Sequence, residues 1–296
     1  MTLAETASHA PVALIAGNGR IPLQVANALA AAGRECKVVA IRGEADAATR
    51  SLASAELGWG EIGRLYAFLN KSGCQDVMLI GGVSKRPDFA SILGDLGTLR
   101  RLPTIIRALA GGDDSLLTKV IGLFEVEGFR VVGIKDVAPG LLAASGVLGK
   151  TQPRDTDWQD IQLALTATQK LGELDIGQAA VAIGGRVVAL EGAEGTDAML
   201  ERCADLRGSG RIRAKNKTGV LVKTAKPNQD LRVDLPTIGP RTIERAEAAG
   251  LAGIAIEAGG ARSGRHGRVD RSAIAASPAC SGPGGWRDLC QARGPG

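Results

Sequence analysis

Between residues 12 and 134, short apolar runs alternate with amphipathic stretches, and that order confines the chain to one broad fold class. Residues 12–16, 37–41, 76–80 and 130–134 carry the aliphatic side chains of strands, while 22–32, 62–71 and 115–127 repeat apolar residues at helical spacing. Strands joined through helices pair in parallel, because each helical crossover returns the chain to the same end of the sheet. The prediction is an α/β chain whose N-terminal part is a doubly wound, mostly parallel sheet. At 296 residues the chain is long enough for two cores, and with aromatics at 3% those cores are packed by small aliphatic side chains. Residues 136–153, rich in Gly and other small residues, read as the connector between two domains.

Beyond the connector the pattern changes. Thr156 and Gln159 read as a capping box, Trp158, Ile161, Leu165, Thr168 and Leu171 share one helical face, and Gly172 reads as the helix end. Asp175-Ile176-Gly177-Gln178 then leads into two apolar runs, 179–183 and 187–190, separated by Gly184-Gly185, the pattern of a β-hairpin with a two-residue turn. The far end of that hairpin carries Glu191, Glu194 and Asp197 among small residues, a spacing that suits a loop facing metal or phosphate. Thr196 or Asp197 is equally suited to cap the helix that follows, so for Asp197 ligand and cap stand level. Val220, Leu221 and Val222 read as a buried strand, 242–249 as a helix and 253–258 as the last clear strand.

Several chemistries are excluded early. The only histidines are His9 and His266, both in peripheral segments, which removes a His-based zinc site and a Ser-His-Asp triad. The five cysteines show no CxxC spacing and read as reduced thiols of a cytosolic protein. No apolar run reaches membrane-spanning length, and the first ten residues lack the basic start of a signal peptide, reading as a disordered lead-in. Net charge is +5, but residues 262–296 hold six arginines against two aspartates. The remainder is nearly neutral, without the basic stripe that tracks a nucleic-acid backbone.

What remains is carboxylates, lysines and arginines, and they concentrate in residues 215–242. Four lysines, two arginines and two aspartates surround two short apolar runs there, with Pro227, Pro236 and Pro240 fixing the chain. Such a mixture suits a site that neutralises polyphosphate and holds a hard cation, Mg²⁺ or Mn²⁺; a solvated charged loop is the alternative. Two further loops sit where open α/β sheets bind ligands. Gly17-Asn18-Gly19-Arg20-Ile21-Pro22 follows the first strand and opens a helix, so its backbone N–H groups suit a phosphate or ribose, or it is simply a tight βα turn. As a dinucleotide fingerprint it is weak: Pro22 replaces the third glycine, and Arg42 falls near the place of the ribose-binding acid. Gly81-Gly82-Val83-Ser84-Lys85-Arg86-Pro87 follows the 76–80 strand, with Lys85 and Arg86 available to phosphate or to solvent.

Taken together, DIGQAAVAIGGRVVALEGAEGTDAMLER from Asp175, GVLVKTAKPNQDLRVDLPTIGPRTI from Gly219, LIAGNGRIP from Leu14 and GGVSKRP from Gly81 resemble the LpxI-type UDP-2,3-diacylglucosamine pyrophosphatases. The resemblance runs from about Val12 to about Gly260. It implies a two-domain α/β hydrolase of lipid A biosynthesis with its active site in the interdomain cleft. The substrate would be UDP-2,3-diacylglucosamine, cut with Mg²⁺ to UMP and the acylated sugar 1-phosphate, lipid X, by water attacking the β-phosphorus. The domains would be 1–140 for nucleotide and substrate binding, 141–153 as linker and 154–261 for catalysis. Residues 262–296 depart from the family pattern of an apolar helix and a final strand, and are expected to be an atypical tail, non-native or disordered. Asp234 would be the catalytic carboxylate and metal ligand, with Lys217 and Lys223 as catalytic cations and Glu194 and Asp197 as further metal ligands. Gly17, Asn18, Gly19, Gly82, Lys85, Arg86, Gln178, Thr196, Lys226, Gln229, Thr237 and Gly239 would bind substrate. The protein would be cytoplasmic, peripheral at the inner face of the inner membrane, a homodimer by prior, with no nucleic-acid partner. Two other classes stay open: a nucleotide-dependent oxidoreductase or transferase using the Gly17 loop, and a non-enzymatic regulator binding nucleotide or lipid.

Overall fold

The computed structural model describes residues 10–84, 97–98, 113–143, 146–148, 152–214, 216–227, 229–257 and 274–278. The chain divides into two compact units, Met1–Leu141 with Asp230–Asp234, and Leu142–Gln229 with Leu235–Gly296.

In the first unit, β1 (Val12–Ala16), β2 (Cys36–Ile41), β3 (Ala53–Leu57), β4 (Asp76–Ile80) and β5 (Arg130–Val131) form one sheet in the order β3-β2-β1-β4-β5. Every pair is parallel. Alternate residues of β1 feed opposite faces. Val12, Leu14 and Ala16 pack with Val25 and Leu29 of α1 (Ile21–Ala31). Ala13 and Ile15 pack with Tyr66 and Leu69 of α3 (Ile62–Lys71) and with Ile121 and Phe124 of α4 (Asp113–Val126). Burial on both faces is why these strands read as unbroken apolar runs. Tyr66 meets Phe124 edge-on at 5.6 Å and stacks on Phe129 at 5.8 Å, and its hydroxyl donates to the Leu123 carbonyl at 3.0 Å. The expected doubly wound sheet is therefore present.

Several local expectations change. β3 and the five-residue α2 (Ala47–Ser51) have no apolar run; α2 is started by the Asp46 carboxylate, which accepts from the Thr49 N–H at 2.8 Å. The expected strand at 130–134 stops at Val131, because Ile134 already opens the short α5 (Ile134–Val137) under the Asp136 carboxylate.

The second unit holds a mixed sheet of β6 (Gly146–Val147), β7 (Ala179–Ile183), β8 (Arg186–Leu190), β9 (Val220–Lys223), β10 (Gly253–Glu257) and β11 (Ile274–Pro278) in the order β6-β11-β10-β9-β7-β8. The hairpin β7–β8 turns as predicted, with Gly184 and Gly185 at φ 58° and 77°. Both turn N–H groups donate to the buried Asp160 carboxylate, at 2.9 and 2.7 Å. Ile161, Ala164 and Leu165 of α6 (Asp155–Glu173) cover one sheet face through Ala180, Ala182, Val220 and Val222. Met199, Leu200 and Cys203 of α7 (Gly195–Gly208) and Ile243 and Ala246 of α8 (Pro240–Ala248) cover the other.

Three expectations are corrected here. The box at the start of α6 is closed by Asp157, not Gln159: its carboxylate accepts from the Arg154 N–H at 2.9 Å and from the Arg154 guanidinium at 2.8 Å. Gly172 lies inside the helix, where Pro227 leaves no room for a Cβ, and the chain turns at Asp175 instead. Within residues 262–296, Ile274–Pro278 pairs antiparallel with β10 and parallel with β6, so the tail contributes a strand where little strand periodicity is visible.

Candidate active site

In the first unit the strand order reverses between β1 and β4, and their carboxyl ends face one crevice, the ligand position of open α/β sheets. Gly17 donates to the Ile80 carbonyl at 2.9 Å, and Asn18 and Gly82 exchange two N–H···O bonds of 2.8 Å. A Cβ on Gly17 would lie 2.1 Å from the Gly82 oxygen, so glycine is required by the close approach of the two loops. Gly19 donates to Asp46 at 3.2 Å, Asn18 donates to the Ser84 hydroxyl at 3.0 Å, and Glu44 accepts from the Ser84 N–H at 2.6 Å. Gly17, Asn18, Gly19 and Gly82 are thus brought together, with the backbone N–H of each already donating to a carbonyl or carboxylate of the chain. The Thr49 N–H, aided by the Gly19 N–H, holds the Asp46 carboxyl below its ordinary range. Lys85 and Arg86 lie outside the described residues.

Asp230–Asp234 also belongs to the first unit. The Arg232 guanidinium binds Asp230 at 2.8 Å and Glu125 at 2.8 Å, and Val233 joins the aromatic core around Tyr66. Hydrogen bonds from Arg232 outweigh burial and hold the Asp230 carboxyl low. Asp234 follows with its N–H on the Asp230 carbonyl at 3.1 Å. Its carboxylate is half-buried and has no protein partner among the described residues.

In the second unit one edge of the sheet gathers the carboxyl ends of β8 and β9 and the start of β7. Glu191, buried at 6% exposure, accepts from the Gln178 N–H at 3.0 Å and from the Thr196 hydroxyl at 2.6 Å. The Thr196 oxygen in turn accepts from the Lys223 ammonium at 3.1 Å. Nearby in sequence, Lys226 donates through its backbone to Gln229 Oε1 at 2.9 Å and through its ammonium to Asp175 at 2.6 Å. Gln178 Oε1 and Gln229 Nε2 are buried with no hydrogen-bond partner among the described residues. Each such unmet group costs on the order of 1–3 kcal/mol, so neither is a neutral packing choice.

Other expected residues go elsewhere. Lys217 precedes the opposite end of β9 from Lys223 and pairs with Glu247 at 2.6 Å on the surface. Glu194 pairs with Arg202 at 2.8 Å; Asp197 pairs with Arg241 at 2.8 Å and lies 3.8 Å from Arg245. Neither Thr196 nor Asp197 caps α7, whose cap position is Glu194 without a side-chain bond. The Thr237 hydroxyl donates to the Leu235 carbonyl at 3.0 Å, and Gly239 caps α8 ahead of Pro240. Among the described residues, no three His, Cys, Asp or Glu side chains converge to hold a metal. A protein-built cage is therefore missing there, but Mg²⁺ arriving with a pyrophosphate needs only one or two carboxylates and keeps its waters. Asp234 fits that demand.

Glu191, one of the three carboxylates whose spacing suits a loop facing metal or phosphate, is buried instead. Its signal is present: period two along β8 places it on the same face as buried Ala189, so it is a carboxylate on a core-facing position. Asp175 gives no such signal. It is the one non-glycine among the described residues with positive φ (54°), and it places its carboxylate on Lys226.

A doubly wound α/β unit and a second mixed α/β unit define the architecture. Residues 11–141 match the LpxI N-terminal domain and residues 144–266 the LpxI C-terminal domain. UDP-2,3-diacylglucosamine pyrophosphatase LpxI of Caulobacter vibrioides is 45% identical over 264 residues, 89% of this chain and 92% of that protein. The chain belongs to the LpxI family.

Proposed function

We propose that this chain is a phosphoric-anhydride hydrolase that cuts UDP-2,3-diacylglucosamine into UMP and 2,3-diacylglucosamine 1-phosphate in lipid A biosynthesis. The observation that carries the reading is that the 45% identity to the Caulobacter pyrophosphatase extends over 89% of this chain, covering both units. In the first unit Asp234 is the carboxylate for Mg²⁺. That ion, when bound, withdraws charge from the pyrophosphate under attack. In the second unit Lys223, steadied by Thr196, is the catalytic cation of this reading, and Lys226 and Gln229 are its substrate-binding residues. Water attacks the β-phosphorus and UMP leaves. The described residues contain no helix long and apolar enough to cross a membrane, and we place the protein peripherally at the cytoplasmic face, where its lipid substrate is made.

Purified chain incubated with UDP-2,3-diacylglucosamine and Mg²⁺ is expected to release UMP, to stop in EDTA and to resume when Mg²⁺ is restored. In ¹⁸O-water the label is expected in the acylated sugar phosphate. Full turnover in chelator would remove the metal from this reading, and label in UMP would move the attack to the α-phosphorus.

Asp175 provides a separate check. Asp175→Gly frees a strained backbone position and releases Lys226. Thermal stability is expected to change by less than about 1 kcal/mol, while KM for the UDP-sugar lipid rises several-fold. An unchanged KM would leave the Asp175–Lys226 pair without a role in binding.

A further inference from the structure

Resting on the pyrophosphatase reading, we propose that Glu191 is a positioning residue that fixes the Lys223 ammonium through the Thr196 hydroxyl. The direction of the relay follows from hydrogen-bond chemistry. A threonine hydroxyl has one proton, and at 2.6 Å that proton goes to Glu191, which as a carboxylate can only accept. The oxygen then presents only lone pairs toward Lys223, 3.1 Å away, and a lysine ammonium can only donate. One negative charge therefore orders two polar groups, and the ammonium is held at the carboxyl end of β9.

Glu191 is itself anchored from three sides. Its N–H donates to the Ala179 carbonyl at 2.9 Å, and its second carboxylate oxygen accepts from the Gln178 N–H at 3.0 Å. The backbone of Gly177 presses so close that a Cβ there would sit 2.3 Å from the Glu191 carbonyl oxygen. Thr196, at 8% exposure, is equally unable to wander. A buried acid needed only to fasten the hairpin would be satisfied by the backbone. This one gives an oxygen to a hydroxyl whose other neighbour is a cation at a sheet edge.

Glutamine at 191 breaks the order. If its oxygen keeps the Gln178 N–H, its amide nitrogen faces Thr196 and turns the hydroxyl proton toward Lys223, donor against donor. If the amide is flipped, its nitrogen meets the Gln178 N–H. Either way one contact is frustrated with almost no change of shape.

The test uses the full chain with UDP-2,3-diacylglucosamine and Mg²⁺, comparing Glu191→Gln, Thr196→Val, Thr196→Ser, Lys223→Met and the double variant Glu191→Gln/Lys223→Met. Misplacing a charged group by a fraction of an ångström to an ångström costs roughly 10- to 100-fold in rate. Glu191→Gln and Thr196→Val are accordingly expected to lower kcat by about that factor, with Thr196→Ser recovering most of the rate lost in Thr196→Val. The double variant is expected to be no slower than Lys223→Met alone, because the two residues act as one unit. Effects that multiply in the double variant would mean that Glu191 acts elsewhere, and would overturn the proposal. So would a slow Lys223→Met beside a normal Thr196→Val, a comparison that stands even where Glu191→Gln does not fold. Unchanged turnover in Lys223→Met would instead overturn the role given to Lys223 itself.

Discussion

Asp234→Ala is expected to fold, to bind the UDP-sugar lipid and to lose turnover by roughly three orders of magnitude or more, the scale of removing a group needed in the transition state. The fold should survive because the segment is held by its neighbours. Arg232 fastens it through Asp230 and Glu125, Val233 is packed in the first core, and the Asp234 carboxylate serves no other described residue. Steady-state UMP release measures the effect, and circular dichroism with native hydrogen exchange checks the fold. A kcat near that of the unaltered chain would transfer the role to another acid. Asp230 is already engaged with Arg232 and Glu194 with Arg202, so either would first have to be released.

Asp76→Asn is expected to be the most damaging single change to the first unit that leaves the chemistry untouched. Asp76 opens β4 at 1% exposure, bound by Arg130 at 2.7 and 2.9 Å and by Arg34. Losing one partner of a buried pair costs about 3–5 kcal/mol, and the partial exposure of both arginines reduces this to about 2–3 kcal/mol. Burial pushes the Asp76 carboxyl up, but hydrogen bonds from Arg130 and Arg34 outweigh it and hold the pKa below its ordinary 3.8. The sign follows directly. The stabilisation is complete above the unfolded value of 3.8 and is lost as pH falls below it, through the folded pKa. Urea midpoints measured from pH 7 to pH 2 should therefore show a gap between the unaltered chain and the Asp76→Asn variant that narrows only in acid. A gap independent of pH would assign the loss to packing instead of charge.

Much of the fold was legible because burial on both sheet faces writes itself into sequence as uninterrupted aliphatic runs. β1, α3 and β4 fall where the pattern puts them. β3 was not legible because an edge strand alternating half-buried and exposed residues, ASAEL, has no such run. β11 was missed for a related reason: IAASP carries one large aliphatic side chain, and its place in the sheet rests on backbone pairing with β10 and β6. At the candidate site the glycines at 17 and 82 were visible as loop chemistry, yet the carboxylates that take the nearby N–H groups, Glu44 and Asp46, come from a different loop. Which of three acids in Glu191–Asp197 turns inward depended on strand phase, whereas Glu194 and Asp197 were claimed by arginines that no spacing rule connects to them.

The membership of Asp230–Asp234 in the first unit has a consequence for synthesis. A ribosome releases the chain from its N-terminus, so the sheet of the first unit can assemble as soon as Val131 has emerged. Its core must then wait for Val233, with the groove beside Gly133, where a Cβ would meet the Arg232 Cα at 2.9 Å, still empty. At bacterial rates of about 5–20 residues per second, that interval is roughly 5–20 s. During it the nascent first unit is one strap short of its native contacts, and Leu142–Gln229 of the second unit must be made before the strap is delivered. Cutting the gene between the two halves would strand the strap on the wrong fragment. The last piece of the first unit is thus inherited from within the second, between Gln229 and Leu235.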